Sequence, residues 1–321
     1  MSKQQVQAHL LDALMSNVVL PPQPPRDVVL DEGEVFEHNE ALRLILASVT
    51  CIEASNVARF FADSYESDSE AFWSDLKCLV PPHEKFFVEW ERPVIGAAKR
   101  MGMLFVACHP EQAEATARAF LGAGAHTTPA KITEFRQDAR CRWIFLTFDF
   151  MEFPTRPDDG HISGFRGPYH VGTVSVAEDG TLLKFWMSHA SVLSEEQSMH
   201  VGIASLVGWT TVAMLNCANI DTVAHHVPDA FQRARTRRGK KPLVSYHTIR
   251  VNLDKTPRSI AAEQLPGDAP AKRLHRKRGH MKDYRRGKGL FGRYKGIWYW
   301  GPSLSGSEDA GVVVSDYEVT P

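Results

Sequence analysis

The sequence lacks the cysteine pairs and nucleotide-binding loops by which many protein classes are identified. Its five cysteines are scattered and include no Cys-x-x-Cys pair, so neither a disulfide framework nor a structural zinc site is indicated. No Gly-x-x-x-x-Gly-Lys-Ser/Thr loop, Gly-x-Ser-x-Gly elbow or dinucleotide fingerprint occurs, which argues against a nucleotide-hydrolysing motor and a serine hydrolase. The sequence predicts buried thiols in a reducing cytoplasm, and no cofactor.

Long uninterrupted apolar runs are also scarce. Residues 197–220 contain no Asp, Glu, Lys or Arg, but several Gln, Ser, His, Thr and Asn residues dilute their hydrophobicity. Ser194 and Gln197 form a capping box before this segment, which is typical of a helix in a globular protein. We therefore expect a buried helix here and no membrane span. The first apolar stretch, LLDALM, contains an acid and precedes no cleavage site, so no secretory signal is predicted.

Charge is distributed very unevenly along the 321 residues. The formal net charge is only -1, yet residues 221–301 hold 20 Lys and Arg against 6 acids, whereas residues 1–220 hold 17 against 28. This separation predicts two faces of opposite sign. We expect the cations between Arg233 and Lys295 to gather on one solvent-facing patch that meets a polyanion.

In the basic region, Arg, Lys and His alternate with Tyr, Phe, Trp and Gly, which is typical of surfaces that hold phosphates and stack on bases. In a regular strand Tyr294, Trp298 and Trp300 share one face, which serves either as a stacking platform or as part of the core. The predicted nucleic-acid-binding residues are Arg235, Arg237, Arg238, Lys240, Arg276, Arg278, His280, Lys282, Arg285, Arg286, Lys288, Arg293, Lys295 and Trp298.

The same region suggests a second hypothesis, a metal-independent ribonuclease. His275 and His280 point to opposite sides of a regular strand, but a bulge at Gly279 would bring them together. They could then act as general base and acid while Arg278 stabilises the developing charge, with Tyr284 as a further candidate. No catalytic residue is assigned, and no metal site is predicted because the histidines have no diagnostic ligand spacing.

The pattern of apolar residues predicts an α+β fold with a mainly antiparallel sheet, a buried central helix and an N-terminal helical region. Helical spacing extends over residues 38–62, and a hairpin is indicated around Gly180. A strand at 221–226, a helix at 228–238 and a strand at 242–253 follow. We expect an N-terminal helical region over residues 1–80, an α+β core over 81–226 and a basic C-terminal region over 227–321.

The last third of the chain resembles a family of phage and prophage proteins of unassigned function. The resemblance rests on LNCANI (215–220), PDAFQRARTRRGKKPLVSYHTIRV (228–251), RLHRKRGHMKDYRRGK (273–288) and GVVVSDYEV (311–319), with a weaker echo in PPHEKFFVEWERP (81–93). Family members share a His-x-Arg-Arg-Gly-His-x-Arg signature, a tryptophan strand and a Lys-Asp-Tyr-like tail. Here Lys277 replaces the first Arg of the signature, and GLFGRY (289–294) is inserted. The resemblance implies a mobile-element origin but no catalytic residues.

These observations together predict a phage-derived nucleic-acid-binding protein. It would act in the bacterial host cytoplasm or be associated with the virion, without a membrane partner. Besides the ribonuclease, a structural, assembly or host-inhibitory protein remains an alternative. In such a protein the basic region would bind an acidic protein or mediate a homo-oligomer.

Overall fold

The structure is a computed structural model. It describes residues 9–16, 19–20, 39–40, 42–65, 76–91, 100–121, 133–135, 137–152, 165–187, 195–252, 255, 273–277, 279–301, 303–305 and 307–312. The sequence also predicts a proline-stiffened arm at 18–30, a short helix around 71–79 and a loop at 256–271. Most of the arm, residues 71–75 and the whole loop lie outside the described residues, and residues 76–79 are not helical.

Five helices are described with their bounds: α1 (Leu10–Ser16), α2 (Ser55–Tyr65), α3 (Ala113–Leu121), α4 (Glu195–Leu215) and α5 (Asp229–Arg237). The first nine strands are β1 (Val19–Leu20), β2 (Thr50–Glu53), β3 (Lys85–Glu91), β4 (Arg100–Cys108), β5 (Cys141–Glu152), β6 (Phe165–Ala177), β7 (Leu182–Met187), β8 (Ile220–His225) and β9 (Tyr246–Val251). The last five are β10 (Arg273–Lys277), β11 (His280–Asp283), β12 (Ile297–Trp300), β13 (Ser303–Ser305) and β14 (Ser307–Val312).

The centre of the fold is a nine-stranded mixed sheet. Its order is β1-β6-β5-β4-β3-β2-β9-β8, and β7 also pairs with β6. The pairs β1·β6, β2·β3 and β2·β9 are parallel, while the others are antiparallel. The expected mainly antiparallel sheet with a buried central helix is therefore wrong, because a large mixed sheet occupies the centre and α4 lies against one of its faces.

The inner strands are covered on both faces, which explains their nearly continuous apolar sequences. In β3, KFFVEWE, the five residues between the two ends are all buried. In β5 the run from Ile144 to Met151 is buried as well. Such a run removes large apolar side chains from water on two sides at once, which is the main stabilising contribution to a sheet of this kind.

Helices α2 and α4 cover the first face of the sheet. They pack with Phe86, Phe105 and Phe145 into one apolar cluster. Trp209 of α4 makes edge-to-face contacts with Phe105 and Phe145, at ring-centroid distances of 5.0 and 5.5 Å. Gly208 permits this close approach, because an added Cβ would lie 2.5 Å from the sulfur of Met103.

Helix α1, the helical residues 42–46 and α3 cover the second face. Leu10, Leu11 and Leu14 of α1 are fully buried there against side chains of β3, β4 and β5. The chain thus forms three layers, with helices on both sides of the sheet. This second face also carries the cavity described below.

The single helix expected over residues 38–62 is interrupted. Helical residues end at 46, Thr50–Glu53 form strand β2, and α2 begins at Ser55. Strand β2 makes two of the parallel pairings. Because the helical spacing over residues 38–62 did not predict this strand, the expected sheet was mainly antiparallel. Strands from all three expected regions of the chain, 1–80, 81–226 and 227–321, contribute to this one sheet.

Other expected elements are confirmed. The β6–β7 hairpin turns at Gly180, whose φ of 81° is the left-handed conformation that favours glycine. The expected succession of strand, basic helix and strand corresponds to β8, α5 and β9. Beyond them, β13-β10-β14 form a small sheet and β11-β12 form a two-stranded ribbon.

Among the described helices, none is long and apolar enough to cross a membrane.

Candidate nucleic-acid interface and the cavity beside it

The first concentration of positive charge is helix α5 with the turn after it. Residues 229–241, hereafter the basic helix group, contain six cations and one acid, Asp229. No residue of α5 is buried. Phe231 is 39% exposed in the same helix, so an aromatic ring lies beside the cations on the surface.

Hydrogen bonds, not apolar packing, hold this helix in place. The Gln232 amide donates to the Leu243 carbonyl at 2.6 Å and accepts from the Leu243 N–H at 2.8 Å. Arg235 Nε donates to the Lys241 carbonyl, and Lys241 Nζ donates to the carbonyl of Met15 in α1. A helix without a buried face needs such tertiary attachment to be stable. The attachment leaves most of its charged side chains pointing to solvent.

The cations of the basic helix group have no acidic partner within the described part of the chain: no carboxylate there lies within ion-pair distance of any of the six. Arg233 and Arg237 are four residues apart and share one side of the helix, while Phe231 and Arg235 share another. Arg238 and Lys240 are exposed in the turn that follows.

The second concentration is the β11-β12 ribbon. Residues 279–301, hereafter the basic ribbon group, also contain six cations and one acid, Asp283. The loop between its strands exposes Phe291 by 47%. Met281, Ile297 and Tyr299 join the apolar cluster on the α4 face of the sheet. Composition alone would therefore give the two groups the same function.

The cations of the basic ribbon group are largely engaged within the protein. Arg285 binds the Asp283 carboxylate, the carbonyls of Lys77 and Asp179, and the Cys78 sulfur. The Arg285 hydrogen bond is the main reason why the pKa of Asp283 is lowered. These contacts fasten the ribbon to the β6–β7 hairpin.

Three further cations of the ribbon also have intramolecular contacts. Arg286 lies 3.5 Å from the Asp179 carboxylate, although its own side chain is 91% exposed. Lys295 Nζ donates to the Gly287 carbonyl, and the Arg293 guanidinium lies 4.7 Å from the centre of the Tyr294 ring. Lys282 and Lys288 are exposed.

Strand β8 separates the two groups. The ribbon is joined to the residues just before β8, because Asn219 exchanges hydrogen bonds of 2.8 and 2.9 Å with the Tyr299 backbone. Helix α5 begins four residues after β8 ends. At about 3.3 Å per residue, the six residues of β8 span roughly 17 Å. The cations of the two basic groups therefore lie toward opposite ends of this strand, with Arg250 and Lys255 outside both groups, and not in the single patch expected from the sequence.

The histidine pair of the ribonuclease hypothesis lies in two different sheets. His275 in β10 is paired with Ser305, while His280 in β11 is paired with Trp300. The continuous strand assumed over residues 275–282 is thus divided into two. The side chains of His275 and Arg276, and the whole of Arg278, lie outside the described residues, so their catalytic or binding roles stay predictions. His280 and Tyr284 are half-buried.

Trp298 has only 6% of its surface exposed. Its ring meets Tyr294 edge to face at 6.2 Å, and its strand neighbours Ile297 and Tyr299 are buried as well. In the described structure the Trp298 ring belongs to the core, one of the two alternatives for this aromatic row.

A cavity of about 830 Å³ lies on the α1 side of the sheet, beside the start of α5. This volume is in the range of small-molecule sites. We call it the α1 cavity. Its polar wall is supplied by α1, the first turns of α2 and the strands, and residues 226–228, which lead into α5, complete it. The ionisable and hydroxyl side chains that line it are His9, Asp12, Glu53, Ser55, Arg59, Glu89, Glu91, Arg100, His225, His226, Tyr246 and Thr248.

Glu89, like Asp12, is a buried acid of this wall. Its carboxylate accepts from the Leu11 N–H at 2.9 Å and contacts His9 Nδ1. Burial acts to lower the pKa of His9, but the hydrogen bond to Glu89 and the surrounding carboxylates outweigh it, so the pKa of His9 is raised. Both oxygens of Asp12 accept backbone N–H groups, from His9 and Val244. These two acids thus dock α1 on the sheet.

Tyr246 lies between two imidazoles. Its ring centre is 3.9 Å from that of His9 and 4.7 Å from that of His225, and His225 Nε2 is 2.9 Å from the Thr248 hydroxyl. Burial is the main reason why the pKa of Tyr246 is raised, with nearby carboxylates adding to the effect. His225 stacks on Tyr246 while the His9 ring is tilted by 45° against it, and the three rings form an aromatic side of the cavity.

None of the residues that form this cavity was predicted as a site. They come from distant parts of the chain and meet only because α1, β2, β3 and β9 are neighbours in the fold. One local signal was present: Glu89 interrupts the otherwise apolar run KFFVEW, and a buried acid in such a run needs a partner. Among the described residues, no group of three or more His, Cys, Asp and Glu side chains is arranged to hold a metal ion.

Comparison of the chain with protein-family models, curated proteins and solved structures finds no match. The resemblance to phage proteins stays a prediction based on the quoted segments.

Proposed function

We propose that this protein binds nucleic acid and that the basic helix group holds the phosphates. One observation carries the proposal: six cations and an exposed phenylalanine lie on helix α5 and the turn after it, where no residue of the helix is buried and no cation pairs with a carboxylate among the described residues. A surface of this kind offers charge to phosphates and a ring to bases without first breaking ion pairs, although Arg235 and Lys241 also donate to carbonyls.

The proposal assigns a smaller role to the basic ribbon group. Binding through Arg285 would require replacing its contacts with Asp283 and the β6–β7 hairpin, and that replacement opposes binding. The phosphate contacts predicted for Arg276 and Arg278 remain part of this proposal. The phage-derived origin of the protein likewise belongs to this proposal.

A charge-reversal experiment tests the assignment. The triple variant Arg233→Glu, Arg237→Glu, Lys240→Glu changes three exposed side chains in the basic helix group. Fluorescence anisotropy with labelled single-stranded and double-stranded oligonucleotides should show that this variant loses binding at moderate salt. In the wild type the affinity should fall steeply with salt, by a logarithmic slope of about 0.7 to 0.9 per phosphate contact.

The matched control reverses Lys282 and Lys288, which are exposed in the basic ribbon group. We expect this double variant to retain most of the wild-type affinity. Equal losses in both variants would show a non-specific effect of net charge, and full binding by the triple variant would refute the proposal. Light scattering beside the titrations separates nucleic-acid binding from the alternative of an oligomer held by complementary charge.

A further inference from the structure

The α1 cavity opens directly beside the proposed phosphate-binding helix. Residues 226–228 line the cavity and α5 begins at Asp229. Leu243, whose backbone exchanges two hydrogen bonds with Gln232 of α5, lines it too. A strand whose phosphates lie along the basic helix group therefore passes the mouth of the cavity.

The charge of the cavity selects which part of a nucleotide can enter. Its wall carries four carboxylates, those of Asp12, Glu53, Glu89 and Glu91, against the guanidinium groups of Arg59 and Arg100. Arg100 is itself paired with Glu152. A phosphate is repelled from such a wall but attracted to the adjoining helix, whereas an uncharged base is not repelled. The contrast orients a nucleotide with its phosphate outside and its base inside.

Glu53 is the acceptor that the cavity offers to such a base. The carboxylates of Asp12 and Glu89 already accept hydrogen bonds from backbone N–H groups, and Glu89 also contacts the His9 imidazole. One oxygen of the half-buried Glu53 accepts the Ser55 N–H at 2.9 Å, while the other has no hydrogen-bond partner among the described residues. A carboxylate oxygen accepts from the amino group of a base, as in the pairing of Glu with cytosine N4. Thymine and uracil have no amino group.

We propose that the α1 cavity binds one unstacked base of a single strand held by the basic helix group, and that Glu53 favours bases that carry an amino group. The inference rests on the proposed function. Proteins that take a base out of the stack read its polar edge in a pocket of this kind. The row of His9, Tyr246 and His225 rings lies along one side of the pocket, where a base can pack against it.

The test measures base preference, which a purely electrostatic surface does not produce. Anisotropy titrations would compare short cytosine and thymine strands of equal length, as DNA and as RNA with uracil. We expect the wild type to bind the cytosine strand about tenfold more tightly, since one specific contact of this kind discriminates by roughly that factor or more. Glu53→Gln should remove most of the difference.

Glu111→Gln is the matched control, because it removes the same charge at an exposed position outside the cavity. It should keep the preference. Equal affinity for cytosine and thymine strands in the wild type, or a preference unchanged in Glu53→Gln, would overturn the inference while leaving phosphate binding by α5 intact.

A second titration separates this inference from the proposed function. Cytidine and uridine carry no phosphate, so their binding does not depend on the basic helix group. We expect cytidine, more than uridine, to shift the imidazole NMR signals of the wild type and of the triple charge-reversal variant alike. If oligonucleotides fail to bind but cytidine still shifts these signals, the proposed function falls and the cavity assignment survives. Absence of any shift by cytidine contradicts the cavity assignment.

Discussion

The basic helix group and the basic ribbon group have the same charge composition but different internal contacts. Each has six cations, one acid and one exposed phenylalanine. In the ribbon, Arg285 binds a carboxylate, two carbonyls and a sulfur, and so connects the ribbon to a distant hairpin. In the helix, the only contacts of this kind are from Arg235 and Lys241 to carbonyls, among the described residues. Clustered charge in a sequence can therefore stabilise a fold or bind a partner, and only the contacts of the charged groups distinguish the two.

The largest expected effect concerns stability. Arg285→Ala should lower the free energy of unfolding by about 2 kcal/mol, because it leaves the partly buried Lys77 carbonyl and Cys78 sulfur without this donor and removes the exposed contacts to Asp283 and Asp179. Arg237→Ala, at an exposed position on α5, should change it by less than about 0.5 kcal/mol. Urea unfolding of both variants provides the measurement. If both variants lose a similar free energy of unfolding, the cations of the two groups do not differ in their contribution to stability.

The second effect concerns the exposed aromatic rings. Phe231→Ala should weaken single-strand binding by about 1–2 kcal/mol, which is typical for the loss of one base stacked on a side chain. Phe291→Ala, in the ribbon loop, should leave binding unchanged. Both rings are exposed, so neither change should affect the unfolding temperature much. Anisotropy titration at a fixed salt concentration compares them, and the account is contradicted if Phe291 proves the more important ring.

A smaller effect concerns the attachment of α5. Gln232→Ala removes two hydrogen bonds to the Leu243 backbone, each of which contributes about 1 kcal/mol. Hydrogen exchange should then increase in residues 229–241 and stay unchanged in residues 279–301. Exchange that rises equally in both groups would show that they are not independently attached.

The smallest effect is the pH dependence of the packing of α1 on the sheet. Helix α1 contacts the basic helix group, because the Met15 carbonyl accepts a hydrogen bond from Lys241. The pKa of His9 is raised in the folded protein, so its stabilising contribution is present below the ordinary value of 6.5 and is lost as the pH rises through the folded value. The difference in unfolding temperature between wild type and His9→Gln should therefore be larger at pH 5.5 than at pH 8.5. Thermal unfolding across this range checks the sign, and a difference that grows with pH contradicts it.

Local patterns predicted several elements well. The hairpin at Gly180, the strands β8 and β9 and the helix α5 are where turn residues and periodicity indicate them. Strand β2 was missed because Ile45, Val49 and Ile52 continue a helical spacing across it. A short buried strand and a buried helical turn cannot be distinguished by periodicity alone. That strand makes two of the three parallel pairings and so accounts for most of the mixed character of the sheet.

The site was less predictable for a physical reason. Clustered cations can be counted in a sequence, but their partners cannot: Asp179 lies more than a hundred residues from Arg285. Nor does the sequence show that β8 separates the two groups. The α1 cavity depends on His9, Glu89 and Tyr246, whose meeting requires the complete sheet order.

NMR titration of the labelled protein with a short oligonucleotide shows which basic group holds the phosphates. We predict that the amide signals of residues 229–241 shift first and furthest, that the shifts weaken as salt is added, and that residues 279–301 respond little. Shifts concentrated in residues 279–301, with the α5 signals unmoved, would contradict it.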